Sequence, residues 1–327
     1  PETITSWYNE IGDWKLSDKK LPEFKQHAAK VQALGLKYLL WVSPFMIGEN
    51  SLFKKDIKCN YLTDLHEGYR VFDPACADAA RHSISLMKQT VDAFGLDGLK
   101  IDFVDAVPQS IEKPHGRVVY NYMKTLLDQI RQDNPEALFE FRQKYASPLM
   151  LDLGTQFRAG DAPFDYIENL HRTAQIRVCL GDNVPVHADP VYWNAQESDI
   201  NIARHMMCSL VGVPMVSADL NELPMNQFDI VRNWLEIYLD YLEIFKKGHW
   251  EINYRFDYLS SITVCHESKK ITFLCSLPHD QDELNNSSLI LNLGAEEIEC
   301  RGMAIHDCTG REVSSCYIPP AGYARNA

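Results

Sequence analysis

The chain has 327 residues, 46% of them hydrophobic and 24% charged, with a formal net charge of −13. That length exceeds one small core and points to a large domain with an appendage, or to two domains. The acidic balance excludes a surface of clustered Lys and Arg for nucleic acid and favours a neutral or small polar partner. No stretch reaches the roughly 18 apolar residues of a membrane span, and no charged segment leads into an apolar one at the start, so neither span nor signal peptide is expected. The nine cysteines are an odd number, widely spread and without a C-x-x-C pair. They read as reduced thiols, and the expected compartment is the cytoplasm.

In chain order, an element around residues 4–7 is followed by a helix pattern at 22–34 and an apolar strand at 37–44. Helix 77–94, strand 98–104, helix 119–132 and strand 137–142 come next. Strand 155–159, helix 166–180, strand 184–188, helix 200–211, strand 213–218 and helix 227–247 complete the series. Alternation of this kind is the pattern of βα units around a parallel sheet. The polar residues singled out below fall at the C-terminal ends of different strands, which favours a TIM-type (β/α)8 barrel over an open doubly wound sheet. Such a barrel takes about 250 residues and eight strands. With one or two strands missing, the expectation is an N-terminally truncated barrel over residues 1–248.

Beyond Gly248 the texture becomes short, β-branched, alternating runs at 260–265, 270–275, 288–293 and 297–300, separated by turn signals. Residues 249–327 therefore read as a small C-terminal antiparallel β domain of sandwich type.

Within "GLDGLKIDFVD", residues 95–105, two charges interrupt an apolar strand. Side chains alternate across a strand, so Lys100 and Asp102 share one face while Leu99, Ile101 and Phe103 share the other. Charges on the barrel-mouth face imply either a site or a structural ion pair. A second carboxylate, Asp161, follows the strand at 155–159. Asp165 suits the N-cap of the helix from Tyr166, which leaves Asp161 for chemistry with Arg158 nearby.

Two carboxylates at one barrel mouth suit glycoside hydrolysis, in which one attacks and the other holds a proton for the leaving oxygen. An ammonium beside Asp102 favours its ionised form, making Asp102 the better nucleophile and Asp161 the better acid. Trp41, Glu140, Arg142, His187, Asp189 and Trp193 stand near other strand ends, a mixture of aromatic and hydrogen-bonding groups that suits a carbohydrate. Each also has a bland reading: Trp41 as core, Glu140 and Arg142 as a pair. His187 and Asp189 lack a third ligand at metal spacing. Phosphate and dinucleotide loops are missing, so no cofactor is expected.

The segments "GDWKLSDKKLP", "LGLKYLLWVSPF", "GLDGLKIDF" and "FRAGDAPFD" resemble the α-galactosidase branch of the melibiase-type enzymes, glycoside hydrolase family 36, in a clan shared with family 31. The resemblance runs from about Gly12 to Leu223, and a β domain behind the barrel is usual in that family. It implies Asp102 as nucleophile and Asp161 as acid/base, with Trp41, Lys100, Arg158 and Asp189 holding the sugar. Two departures bear on the sugar. The family's first strands, with an acidic pair for the galactose hydroxyls, have no counterpart here, and Ser43-Pro44-Phe45 stands where many members have Pro-Glu-Met.

The expectation is thus a retaining exo-α-glycosidase, foremost an α-galactosidase, with a small α-galactoside as substrate and neither nucleic acid nor membrane as partner. Homo-oligomer formation is left open. The alternatives are an α-glucosidase or α-xylosidase of the same clan, a non-catalytic sugar-binding protein on this fold, or an aldolase using Lys100 as a Schiff-base amine.

Overall fold

A computed structural model describes residues 7–17, 19–109, 114–276, 284 and 286–326. The element expected around 4–7 lies mostly outside them; the described chain opens with a 3-10 turn over Trp7–Glu10. Residues divide into two compact units, 1–145 with 149–156, and 146–148 with 157–327.

The first unit contains α1 (Phe24–Ala33), β1 (Leu39–Val42), β2 (Met46–Gly48), α2 (Leu52–Asp56), β3 (Tyr69–Val71), α3 (Ala77–Phe94), β4 (Gly98–Ile101), α4 (Gly116–Asp133) and β5 (Leu138–Arg142). Strands β1, β4 and β5 are parallel and in a register that aligns Trp41 with Lys100 and Lys100 with Glu140. The two long helices are amphipathic: α3 buries Ala79, Ile84, Met87 and Val91, and α4 buries Val119, Met123, Leu126, Leu127 and Ile130. Apolar residues at this spacing make one stripe that must cover the sheet.

Helix α3 ends where Gly95 takes a left-handed φ of 62°, and the next amide, Leu96 N–H, returns to the Val91 carbonyl. That cap turns the chain directly into β4. Between cap and strand, Asp97 accepts from the Tyr38 amide at 2.9 Å, Gln32 Nε2 at 2.7 Å and Lys37 Nζ at 3.1 Å, fastening α1 and the start of β1 to β4. At Gly98 a Cβ would lie 1.8 Å from the Leu138 carbonyl oxygen, so no other residue fits between β4 and β5 without displacing backbone.

The pair β2–β3 is antiparallel and has no counterpart among the expected strands. Its closest approach explains two glycines: Cβ atoms at Gly48 and Gly68 would meet the Asn9 carbonyl and side chain at 2.3 and 1.8 Å. Asp13 of the "GDW" segment caps α2 by accepting from the Leu52 and Phe53 amides.

The second unit takes up β6 (Gln156–Arg158), whose first residue belongs to the first unit. It continues through α5 (Tyr166–Leu180), β7 (Val186–His187), α6 (Asp199–Ser209), α7 (Met225–Asp240) and α8 (Leu242–Lys247). Strands β6 and β7 are parallel, with Arg158 opposite His187. The strand expected at 213–218 is reduced to the parallel bridges His187–Val213 and Val191–Val216. A complete eight-stranded barrel is not formed among the described residues. The helix expected over 227–247 breaks at Tyr241, whose φ of −110° leaves the helical region.

From His249 the chain is β: β8 (His249–Arg255), β9 (Tyr258–His266), β10 (Lys269–Leu274), β11 (Leu289–Asn292), β12 (Ile298–Glu299), β13 (Ala304–His306), β14 (Glu312–Val313), β15 (Tyr317–Ile318) and β16 (Tyr323–Arg325). Seven strands form one sheet in the order β14-β13-β16-β11-β10-β9-β8, and β12 pairs with β15. The sheet is mixed rather than antiparallel, because β10 and β11 run parallel. One apolar cluster joins helix residues Leu170, Met206, Trp234 and Phe245 to sheet residues Trp250, Ile262, Phe273 and Tyr323. Leu274, Ile290, Ile298, Ile305 and Ile318 form a second, smaller cluster.

Candidate functional site

Sequence-selected residues in the first unit gather at the C-terminal end of β4. Asp102 follows the last residue of that strand, and its side chain is only 7% exposed. Its backbone amide donates to the Val42 carbonyl at 2.8 Å, which continues the pairing of β4 with β1 by one step. Both carboxylate oxygens are taken. Trp41 Nε1 donates to Oδ2 at 2.9 Å, while Arg142 Nη1 and the Phe103 amide donate to Oδ1 at 3.0 and 2.8 Å. Trp41 is placed for this by standing opposite Lys100 in the β1–β4 register, one residue short of Asp102 on the neighbouring strand.

Phe103 does not continue the apolar face of Leu99 and Ile101. Strand β4 ends at Ile101, and Phe103 adopts a left-handed φ of 52°. The turn sets its ring edge-on to Trp41, centroids 6.2 Å apart, and beneath the Arg142 guanidinium at 5.7 Å. A bulky residue with positive φ stores strain, a feature that clusters at functional sites. Trp14, also at positive φ, packs edge-on to Trp41 at 6.1 Å. Tyr145 donates from its hydroxyl to the Ile101 carbonyl. Burial, then the Asp102 anion, pushes the Tyr145 phenol up, and burial with Glu67 and Asp102 does the same to Tyr8.

Arg142 is the partner that sequence reasoning did not assign to Asp102. Its bland reading was a pair with Glu140, two residues away on β5; in the structure it reaches across to the end of β4. Glu140 accepts from Gln156 Nε2 at 3.4 Å. Lys100 is half-buried in the row between Trp41 and Glu140.

In the second unit Arg158, at the end of β6, is buried and holds two carboxylates. One terminal nitrogen donates to Asp161 Oδ1 at 2.9 Å and the other to Asp189 Oδ1. The two acids differ in exposure, 60% for the Asp161 side chain against 4% for Asp189. Asp189 also accepts from the Ala162 amide at 2.7 Å, and its backbone is clasped by Asn169 through two hydrogen bonds of 2.9 Å. It thus fixes the loop that presents Asp161. Arg172 adds a donor to the Asp161 carbonyl at 2.7 Å.

Asp165 caps α5, accepting from the Glu168 amide at 2.9 Å, so the assignment of capping to Asp165 and not Asp161 holds. Trp193 lies in the apolar core with its indole donating to Gln227 at 3.0 Å. An exposed pair that the sequence did not flag, Phe164 and Tyr192, stands edge-to-face at 5.3 Å beside this group.

No cluster of three or more metal-ligating side chains occurs among the described residues. No helix among them is long and apolar enough to cross a membrane. All nine cysteines are unpaired.

No protein-family model and no curated protein sequence matches the chain. Its fold is similar to that of glycoside hydrolase family 36 α-galactosidases, in agreement with the resemblance carried by the four sequence segments. The family 36 α-galactosidase AgaA of Geobacillus stearothermophilus, solved in complex with stachyose, aligns with 79% of this chain and 40% of its own at 19% identity and TM-score 0.63. The α-galactosidase of Lactobacillus brevis aligns with 95% of this chain and 46% of its own at 17% identity and TM-score 0.65. An α-amylase of Anoxybacillus aligns with 98% of this chain and 83% of its own at 11% identity and TM-score 0.63. The chain therefore spans less than half the length of these two α-galactosidases. What the likeness establishes is an α/β fold with parallel strands followed by a mixed β sheet.

Proposed function

We propose that the chain carries the catalytic machinery of a retaining exo-α-glycosidase that removes terminal α-galactosyl groups. Residues 1–248 would supply the catalytic part and residues 249–327 the β appendage. Asp102 attacks the anomeric carbon while Asp161 protonates the leaving oxygen. A water deprotonated by Asp161 then cleaves the glycosyl ester. Trp41, Lys100, Arg158 and Asp189 line the sugar position, Asp189 acting largely by holding Arg158. A reducing compartment such as the cytoplasm is consistent with nine free thiols.

The observation that carries this reading is the contrast between the two acids. Asp102 is buried at a strand end with indole and guanidinium donors on its two oxygens, an arrangement that aims a charged carboxylate in one direction. Asp161 keeps most of its side chain in solvent while Arg158 fixes its position, as exchange of protons with leaving group and water requires. In retaining enzymes the two carboxyls stand about 5–5.5 Å apart, against about 6.5–9.5 Å for inverting ones.

Hydrolysis of an aryl α-galactoside tests the proposal. Asp102→Ala should abolish turnover, and azide should restore it as β-galactosyl azide; undiminished hydrolysis by that variant rejects the assignment. A second reading, an α-glucoside as the substrate, is supported by the likeness to an α-amylase over 98% of the chain. Faster turnover of the aryl α-glucoside than of the α-galactoside would select it and leave the roles of Asp102 and Asp161 unchanged.

A further inference from the structure

The second unit contains a cavity of about 430 Å³ at the N-terminal end of β7. It is lined by Val184 and Pro185 before β7, by Gly212, and by Val213, which bridges to His187, whereas Asp189 follows β7. Four residues of extended chain, about 13 Å, separate Pro185 from Asp189. The cavity is therefore distinct from the Asp161 group.

One wall carries Arg177, in the last turn of α5, 8% exposed. Its Nε donates to the Val211 carbonyl, and its guanidinium lies over the Trp250 ring with 3.7 Å from the central carbon to the centroid. Among the described residues neither terminal nitrogen has a hydrogen-bond acceptor, and no carboxylate is within ion-pairing distance. Asp182 shares the cavity wall, but its carboxylate is engaged by His249 Nδ1 at 2.7 Å and the Trp250 amide at 3.3 Å. Burial lowers the Arg177 guanidinium to about 10, with Asp182 acting in the opposite direction.

A second cation, the exposed Lys246, also lines the cavity and makes no ion pair among the described residues, whereas Lys247 is paired with Glu243. Tyr238 and Phe245 complete the lining with stacked rings, centroids 5.1 Å apart and planes at 18°. A guanidinium that is largely buried and lacks a protein anion gains from an anionic partner. The volume matches a small-molecule site, whose usual composition is apolar and aromatic walls with a few directed polar groups.

We propose that this cavity binds a small organic oxyanion, its carboxylate or phosphate group on Arg177 and Lys246 and its body along Tyr238 and Phe245. Arg matches either group in two-point fashion. The proposal is independent of the glycosidase reading, because it is tested by binding without sugar hydrolysis.

Isothermal titration of the chain with inorganic phosphate, a hexose phosphate and benzoate tests it, with tryptophan emission recorded in parallel because Trp250 lies under the guanidinium. At least one of the three should bind at millimolar concentration or below, and which one does assigns phosphate or carboxylate as the recognised group. Arg177→Met should weaken binding by at least about tenfold, the scale of a lost charged hydrogen bond. If that variant fails to fold, Asn183→Trp, at an exposed lining position, should block entry while leaving Arg177 in place. Absence of binding by all three anions, or unchanged affinity in folded Arg177→Met or in Asn183→Trp, overturns the proposal.

Discussion

Replacing Arg142 with Met removes the guanidinium paired with the buried Asp102 carboxylate. The pair is well shielded, with side chains 13% and 7% exposed and an N–O distance of 3.0 Å. Breaking such a pair from one side costs about 3–5 kcal/mol when it strands a buried charge. Asp102 retains donors from Trp41 and the Phe103 amide, which places Arg142→Met at the lower end, about 3 kcal/mol. Asp102→Asn alone removes the carboxylate charge from this pair and costs about 2 kcal/mol. In the double variant neither charge is stranded, so its loss should fall short of the sum by about 2 kcal/mol, the coupling expected of residues in direct contact. Urea unfolding of the four proteins, with the slope checked for constancy, measures this cycle. A single Arg142→Met loss under about 0.5 kcal/mol, or strict additivity, would refute the claim that Arg142 fixes Asp102.

Other outcomes follow from the same structure. Asp97 sits against burial, yet the Tyr38 amide, Gln32 and Lys37 hold its carboxyl below the ordinary value of 3.8. Its contribution to stability is therefore present above that value and lost as pH falls through the lowered one. Asp97→Asn should flatten the acid limb of a stability-versus-pH curve, and an identical limb would contradict this. Gly98→Ala forces a methyl into the Leu138 carbonyl and should cost more than about 2 kcal/mol or prevent folding, read by thermal unfolding. Asp165→Ala removes the α5 cap and should cost about 1 kcal/mol, whereas Asp161→Ala should leave stability nearly unchanged and act on turnover instead.

The parts of this site legible in the sequence are those governed by local pattern. The strand around Lys100, the helix ending in Gly95, the capping role of Asp165 and the placing of Asp161 after a strand all follow from spacing and residue type within a few positions. Arg142 escaped because its partner depends on how far β5 is shifted against β4, which no local periodicity encodes. Phe103 escaped because alternation presumes the strand continues, whereas β4 stops at Ile101 and the backbone turns through a positive φ. The β2–β3 pair was hidden for a similar reason. Three-residue strands give too little alternation to register, and their packing is dictated by the remote Asn9. The parallel β10–β11 pairing inside an apparently antiparallel region likewise depends on chain crossing, not on composition.

The central claim is that Asp102 is the residue that forms the bond to sugar. Incubation with a ring-fluorinated α-galactosyl fluoride, which forms a glycosyl ester that hydrolyses slowly, followed by peptide mass spectrometry locates that bond directly. A single added fluorosugar on Asp102, within residues 95–105, is the predicted result. Labelling of any other residue, or hydrolysis of an aryl α-galactoside with no label at Asp102, would contradict the account.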